Sequence, residues 1–191
     1  QTEGATGETF VDFWVHNEHL LVDGKKMSKS LGNFYTLRDI LAKGHSPLAF
    51  RYLMLASHYR QKLNFTFESL AAAGNAIERI QDFFARMREI HDDARRDLVA
   101  SRHAKKISEY DVTFWEALRD DLDTPRALQS LFDMITYAYT NIQSLTREDA
   151  ARAAGSLRNV NMILDVLNLD RGEVPPDIKD LIDRRESARA P

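Results

Sequence analysis

The residues best suited to chemistry stand in one short run, Val22-Asp23-Gly24-Lys25-Lys26-Met27-Ser28-Lys29-Ser30-Leu31-Gly32-Asn33. Lys25, Lys26 and Lys29 offer ammonium groups, compact point charges that can follow phosphate oxygens as they move. Ser28 and Ser30 add short hydroxyl donors. Where a pyrophosphate departs, negative charge builds on its bridging and terminal oxygens. A positioned ammonium stabilises that state more than the ground state. One well-placed donor of this kind is typically worth about 3 kcal/mol, some hundredfold in rate. Gly32-Asn33 is expected to let the run swing between open and closed positions.

The charge distribution points the same way. The chain of 191 residues carries a net charge of −3, unevenly spread. Residues 1–24 hold five acids and no Lys or Arg, whereas residues 25–62 hold eight basic groups against Asp39 alone. A local excess of +7 over residues 25–62 suits a polyanion, either nucleotide phosphate or RNA backbone; charge alone equally fits a solvated basic face.

These residues need elements to hold them. Phe10, Val11, Phe13, Trp14 and Val15 form an aromatic and β-branched run that suits a strand. His19 to Val22 suits a second. Asp23-Gly24 fits a two-residue hairpin turn, in which both positions need φ > 0, with Lys25-Lys26-Met27 as the returning arm. The lysine loop therefore hangs from a hairpin.

Everything downstream reads as helix. Thr36 with Asp39 forms a shortened capping box, and Gly44 ends that helix. Ser46-Pro47 starts the next, whose body from Leu48 to Ala56 is apolar almost all round apart from Arg51 and should be buried. Thr66 caps a long helix with the stripe Leu70, Ala73, Ile77, Ile80, Phe84 and Met87. The polar stretch around His91–Lys106 reads as a mobile loop, and a helix from about Ile107 to Arg119 follows. Thr124-Pro125 opens a helix with Leu128, Leu131, Ile135, Ala138, Ile142 and Leu145 on one face. Thr146 with Asp149 caps another, with Ala150, Ala153, Leu157, Val160, Leu164 and Leu167. A short charged helix is expected after Pro175-Pro176. Long helices with 3-4 stripes and short connections predict an antiparallel bundle, the stripes being its core.

Composition sets outer limits. Hydrophobic residues make up 43% and charged residues 29%, as in an ordinary globular chain. No run reaches the roughly 18 apolar residues that a membrane-spanning helix needs, and no signal peptide is evident. The absence of cysteine removes disulfides and thiolate metal sites, and fits a cytoplasmic location. Beginning at Gln1 and ending in mid-pattern at Pro191, the chain reads as a piece of a longer one.

Lys26-Met27-Ser28-Lys29-Ser30, at the end of a hairpin and followed by Leu-Gly-Asn and a capped helix, resembles the second hallmark motif of class I aminoacyl-tRNA synthetases. Val11–Asn17, Asn33–Asp39, Phe50–Met54, Ser57–Arg60, Leu63–Thr66 and Asp120–Leu128 resemble the cysteinyl-tRNA synthetase family more narrowly. The resemblance implies a mainly α chain: the β-hairpin-containing end of a class I, Rossmann-type catalytic domain over residues 1–62, then an antiparallel helical bundle of the DALR kind over residues 63–191. It implies an enzyme that joins ATP and cysteine into cysteinyl-adenylate and passes the amino acid to tRNA(Cys). Lys29 would be the catalytic residue, within an ATP-binding set of Lys26, Met27, Ser28, Lys29 and Ser30. ATP would arrive with magnesium. The family's first nucleotide motif and its zinc ligands are not in this sequence, so no metal site is expected here. The isolated chain is accordingly expected to be inactive in cysteine-dependent ATP–pyrophosphate exchange, and to be a monomer.

Other residues admit more than one reading. His16 and His19 could suggest a metal, but packing or turn roles fit better. His58, Tyr59 and Arg60 could lie near phosphate or the tRNA end, or cap a helix with His and Arg facing its dipole. Trp14 reads as core rather than as a stacking platform. Asp120, Asp121 and Asp123 resemble a carboxylate cluster, yet favourable placement at a helix start accounts for them better. Two rival functions stand beside the synthetase: the cysteine ligase of mycothiol synthesis, which shares the lysine loop, and a non-catalytic helical RNA-binding module.

Overall fold

The computed structural model describes residues 1–93 and 101–169. A short helix, α1 (Thr2–Thr6), ends on Gly7, and the chain then runs without regular structure to His19. The strand expected over Phe10–Val15 does not form. It has no strand beside it among the described residues, since the sheet is built of other segments, and Phe10 N instead donates to Glu3 Oε1 at 3.0 Å; a lone strand cannot satisfy its backbone. Phe13 and Trp14 are 87% and 70% exposed, so Trp14 is not core; its ring stacks on His16.

The hairpin forms as expected. Strands β1 (Leu20–Val22) and β2 (Lys25–Lys26) pair antiparallel, with Val22 opposite Lys25. Asp23 and Gly24 both take positive φ, at 50° and 73°. A third strand, β3 (Leu63–Phe65), lies parallel to β1 in a stretch that reads as helical country. Three residues are too few to show a period of two, and the partner is far away in sequence. The turn is tied to it: Gly24 N donates to Asn64 Oδ1 at 2.7 Å and Asp23 N to Phe65 O at 3.1 Å.

Helix α2 (Leu37–Ala42) carries the expected box, with Asp39 Oδ2 accepting from Thr36 N at 2.7 Å and Gly44 left-handed beyond its end. Those bonds from Thr36 hold the Asp39 carboxyl below its usual range. Helix α3 (Pro47–Leu55) starts on Ser46-Pro47. It is buried on one face only, through Ala49, Tyr52 and Leu53, while Leu48, Phe50, Met54 and Leu55 pack at its margins. The expectation of all-round burial fails because the helix rests on α4 alone as a large partner; Arg51, though exposed, donates from Nε to Leu164 O at 2.6 Å.

Four long helices follow: α4 (Phe67–Asp92), α5 (Ala104–Arg119), α6 (Thr124–Thr140) and α7 (Arg147–Leu164). Residues 120–123 turn α5 back onto α6, and α7 packs against both α4 and α5. The predicted stripes are the core: Leu70, Ile80, Met87, Leu131, Ile135, Leu157 and Val160 are all buried. Each such side chain contributes about 1.5–3 kcal/mol by leaving water. Leu145 and Leu167 are buried too, although they lie just beyond the helices. The ends of the polar stretch at His91–Lys106 are helical, belonging to α4 and α5; its residues 94–100, and the helix expected after Pro175-Pro176, lie outside the described residues. Among the described residues, no helix is long and apolar enough to cross a membrane.

Candidate functional site

The lysine loop is built outward from the hairpin. Lys25 and Lys26 are exposed on β2, while Met27 turns inward. Its side chain packs against the core beside Leu20, Val22, Tyr35 and Ile40, so the loop is pinned at its middle by an apolar anchor. Ser28 is extended, and Lys29–Leu31 then form a single turn of 3₁₀ helix closed by Gly32, whose φ of 67° suits glycine. Lys29 begins that turn, exposed, with Nζ 5.5 Å from the centre of the Phe34 ring. The Ser28 and Ser30 hydroxyl oxygens lie 2.7 Å apart, so one hydroxyl is already engaged by the other.

Asn33 is the residue that sequence reasoning missed. Read as part of a swinging Gly-Asn pair, it instead clamps the loop. Its Oδ1 accepts from Ser28 N at 2.8 Å and its Nδ2 donates to Lys26 O at 3.2 Å. A carboxamide directly after a glycine is the signal that could have found it, since one rigid group then offers an acceptor and two donors.

Among the described residues, no carboxylate pairs with Lys25, Lys26 or Lys29. Three unneutralised ammoniums beside a hydroxyl pair form a donor set for a polyphosphate. The same set does not fit a metal. Among the described residues no three His, Asp or Glu side chains gather as a metal needs; His16 lies on Trp14, and His19 Nδ1 stands 3.7 Å from Glu18 Oε2.

His58, Tyr59 and Arg60 do not face the carboxyl end of α3. They reach across to the α5–α6 connection. Tyr59 Oη donates to Asp121 Oδ1 at 2.5 Å, Arg60 Nε lies 2.9 Å from Asp121 Oδ2, and His58 Nε2 is 3.1 Å from the Asp121 carbonyl oxygen. The Tyr59 hydroxyl and the Asp121 charge raise the affinity of Arg60 for its proton, and the same hydroxyl and guanidinium hold Asp121 below the usual carboxylate range. The three aspartates therefore divide. Only Asp123 sits on a helix start, accepting from Arg126 N at 3.1 Å; Asp120 pairs with Arg126 Nη1 at 2.7 Å, and Asp121 belongs to the Tyr59–Arg60 contact.

Residues 1–75, which contain the whole lysine loop, match the family of class I (C) tRNA synthetase catalytic domains, and residues 113–169 match the DALR domain. Cysteine–tRNA ligases align along the full length. That of Protochlamydia amoebophila is 37% identical over 99% of this chain, and that of Chlamydia caviae 38% over 100%. Along its whole length the chain is similar to cysteine–tRNA ligases. The Chlamydia felis cysteine–tRNA ligase is 39% identical over 99% of the chain. The chain spans 40% of the length of each of these three relatives. The fold agrees with the two matches: a small sheet with its hairpin in the part similar to class I catalytic domains, then helices.

Proposed function

We propose that this chain supplies the ATP-phosphate loop and a tRNA-contacting helical bundle of a cysteine–tRNA ligase. Residues 1–62 form the catalytic end and residues 63–191 the bundle. The observation that carries the proposal is the lysine loop itself: an anchored loop leaving the hairpin, with three ammoniums that no carboxylate among the described residues pairs with. In the reaction, a carboxylate oxygen of cysteine attacks the α-phosphorus of ATP. The bond to the bridging oxygen breaks, and pyrophosphate leaves with the electron pair. Lys29 is assigned the developing charge on that leaving group, with Lys26 and the Ser28–Ser30 hydroxyls holding the phosphates and Met27 fixing the loop. Such stabilisation acts where charge appears, not on the ground state. Magnesium comes with the nucleotide, since the loop offers it no carboxylate. The adenylate is then consumed by tRNA(Cys), whose backbone suits the basic excess of residues 25–62. The location is cytoplasmic and the chain monomeric on this reading.

Two titrations test it. MgATP should perturb the amide resonances of Ser28 to Leu31 in the chain, and tRNA(Cys) should bind with a steep loss of affinity between low and moderate salt. Tight tRNA binding without any nucleotide response would favour a non-catalytic RNA-binding module instead. A nucleotide response without tRNA binding would favour the mycothiol-type ligase.

A further inference from the structure

The Asp121 contact lies outside the lysine loop, yet a short chain of bonds connects them. Asp121 fixes Tyr59 and Arg60 as described. The Tyr59 carbonyl in turn accepts from Glu18 N at 2.8 Å, two residues before β1 begins. Leu63 follows on the other side and pairs with Leu20 at the base of the same strand. From β1 the hairpin leads directly to Lys26 and the loop. The second feature is the backbone of the connection. Asp121 and Leu122 are both left-handed, at φ 54° and 55°. Such a conformation is tolerable for Asp but unfavourable for Leu, and it persists only where surroundings hold it.

We propose that Asp121, carried on the α5–α6 connection of the bundle, is a positioning residue for the lysine loop: through Tyr59, Arg60 and Glu18 it fixes the base of the hairpin from which Lys26–Ser30 project. An isolated exposed ion pair would do little. Here one carboxylate takes a phenol and a guanidinium together while the backbone carbonyl of the same residue meets His58, and bonds shared on one residue restrict the rotation of all three partners. The bundle thereby sets the angle at which the loop meets its ligand. The functional part of this inference rests on the ATP reading above; the mechanical part does not.

Amide hydrogen exchange on the 191-residue chain tests it, in the wild type and in Asp121→Asn, Tyr59→Phe and their double variant. Asparagine keeps the left-handed backbone accessible while removing the charge, and Tyr59→Phe removes only the hydroxyl. Exchange at Glu18, Gly24 and the β1 amides should quicken about three- to tenfold in either single variant, as expected for losing one exposed, solvent-screened bond. The double variant should fall short of the product, and α4–α7 amides should hold. MgATP affinity should weaken by a similar factor. Unchanged hairpin exchange overturns the proposal, as does an even rise across the bundle, which would mark a merely structural contact. If the wild-type chain ignores MgATP, the ATP reading fails, while the exchange result still decides the positioning role.

Discussion

The side-chain oxygen of Asn33 lies 2.8 Å from the backbone nitrogen of Ser28, closing the lysine loop across its neck. With the second bond to Lys26 O, one carboxamide spans the loop from its entry to its exit. The loop is thus held in shape before any ligand arrives, which lowers the cost of binding one.

Asn33→Ala should release that neck. Ser28 amide exchange should rise about fivefold, the loss of a bond worth roughly 1 kcal/mol, while the unfolding midpoint barely moves. Asn33→Asp keeps an acceptor for Ser28 but loses the donor to Lys26, and should fall between the two. Equal exchange in all three proteins would show that the loop is held by Met27 alone.

Asp149 makes stability pH-dependent. It is buried at the start of α7, where burial opposes its ionisation. Hydrogen bonds from Ser101 Oγ at 2.6 Å and from Thr146 outweigh that and hold its carboxyl below the usual value. A depressed carboxyl stabilises the fold above its unfolded pKa of about 3.9, and this contribution is lost as pH falls through the folded value. Thermal midpoints should therefore drop below about pH 4, and Asp149→Asn should flatten that drop. At neutral pH, Asp149→Ala should cost about 1–2 kcal/mol by removing the cap partner. A variant whose midpoint follows the wild-type pH curve would rule out Asp149 as a source.

Leu157 is wholly buried in α7, which packs against both α4 and α5. Leu157→Ala should cost about 2–5 kcal/mol in urea unfolding at an unchanged slope. A cost below about 1 kcal/mol would mean that α7 is not part of the core.

Most of the helices were legible because they carry two independent signals; α5, whose His103 makes no side-chain cap, has no start signal and begins at Ala104, not near Ile107. Thr66, Thr146 and Ser46-Pro47 mark the starts, and stripes such as Leu70–Met87 fix the buried face. The hairpin was legible from Asp23-Gly24 alone, since few pairs accept positive φ twice. What stayed hidden depends on partners distant in the chain. Phe10–Val15 has strand composition, but composition cannot supply a neighbour. Leu63–Phe65 is a strand only because β1 lies beside it. Asp121 resembled a helix-start carboxylate until the fold placed Tyr59 against it, 62 residues away in sequence. In the loop, the lysines stood out by type and spacing, and the phosphate role assigned to them is a proposal. The Asn33 clamp did not, because it is a matter of geometry across a turn.

The central claim is that the Lys26–Ser30 loop receives the phosphates of ATP, with Lys29 in the leading role. Titration of MgATP into the 191-residue chain, followed at the Ser28–Leu31 amides, tests it most directly, with Lys29→Ala in parallel. The account predicts saturable shifts confined to the loop and its hairpin, and a loss of affinity of about tenfold or more in the variant, as for a charge-assisted contact. Absence of any shift in the wild type, or equal affinity in Lys29→Ala, would contradict it.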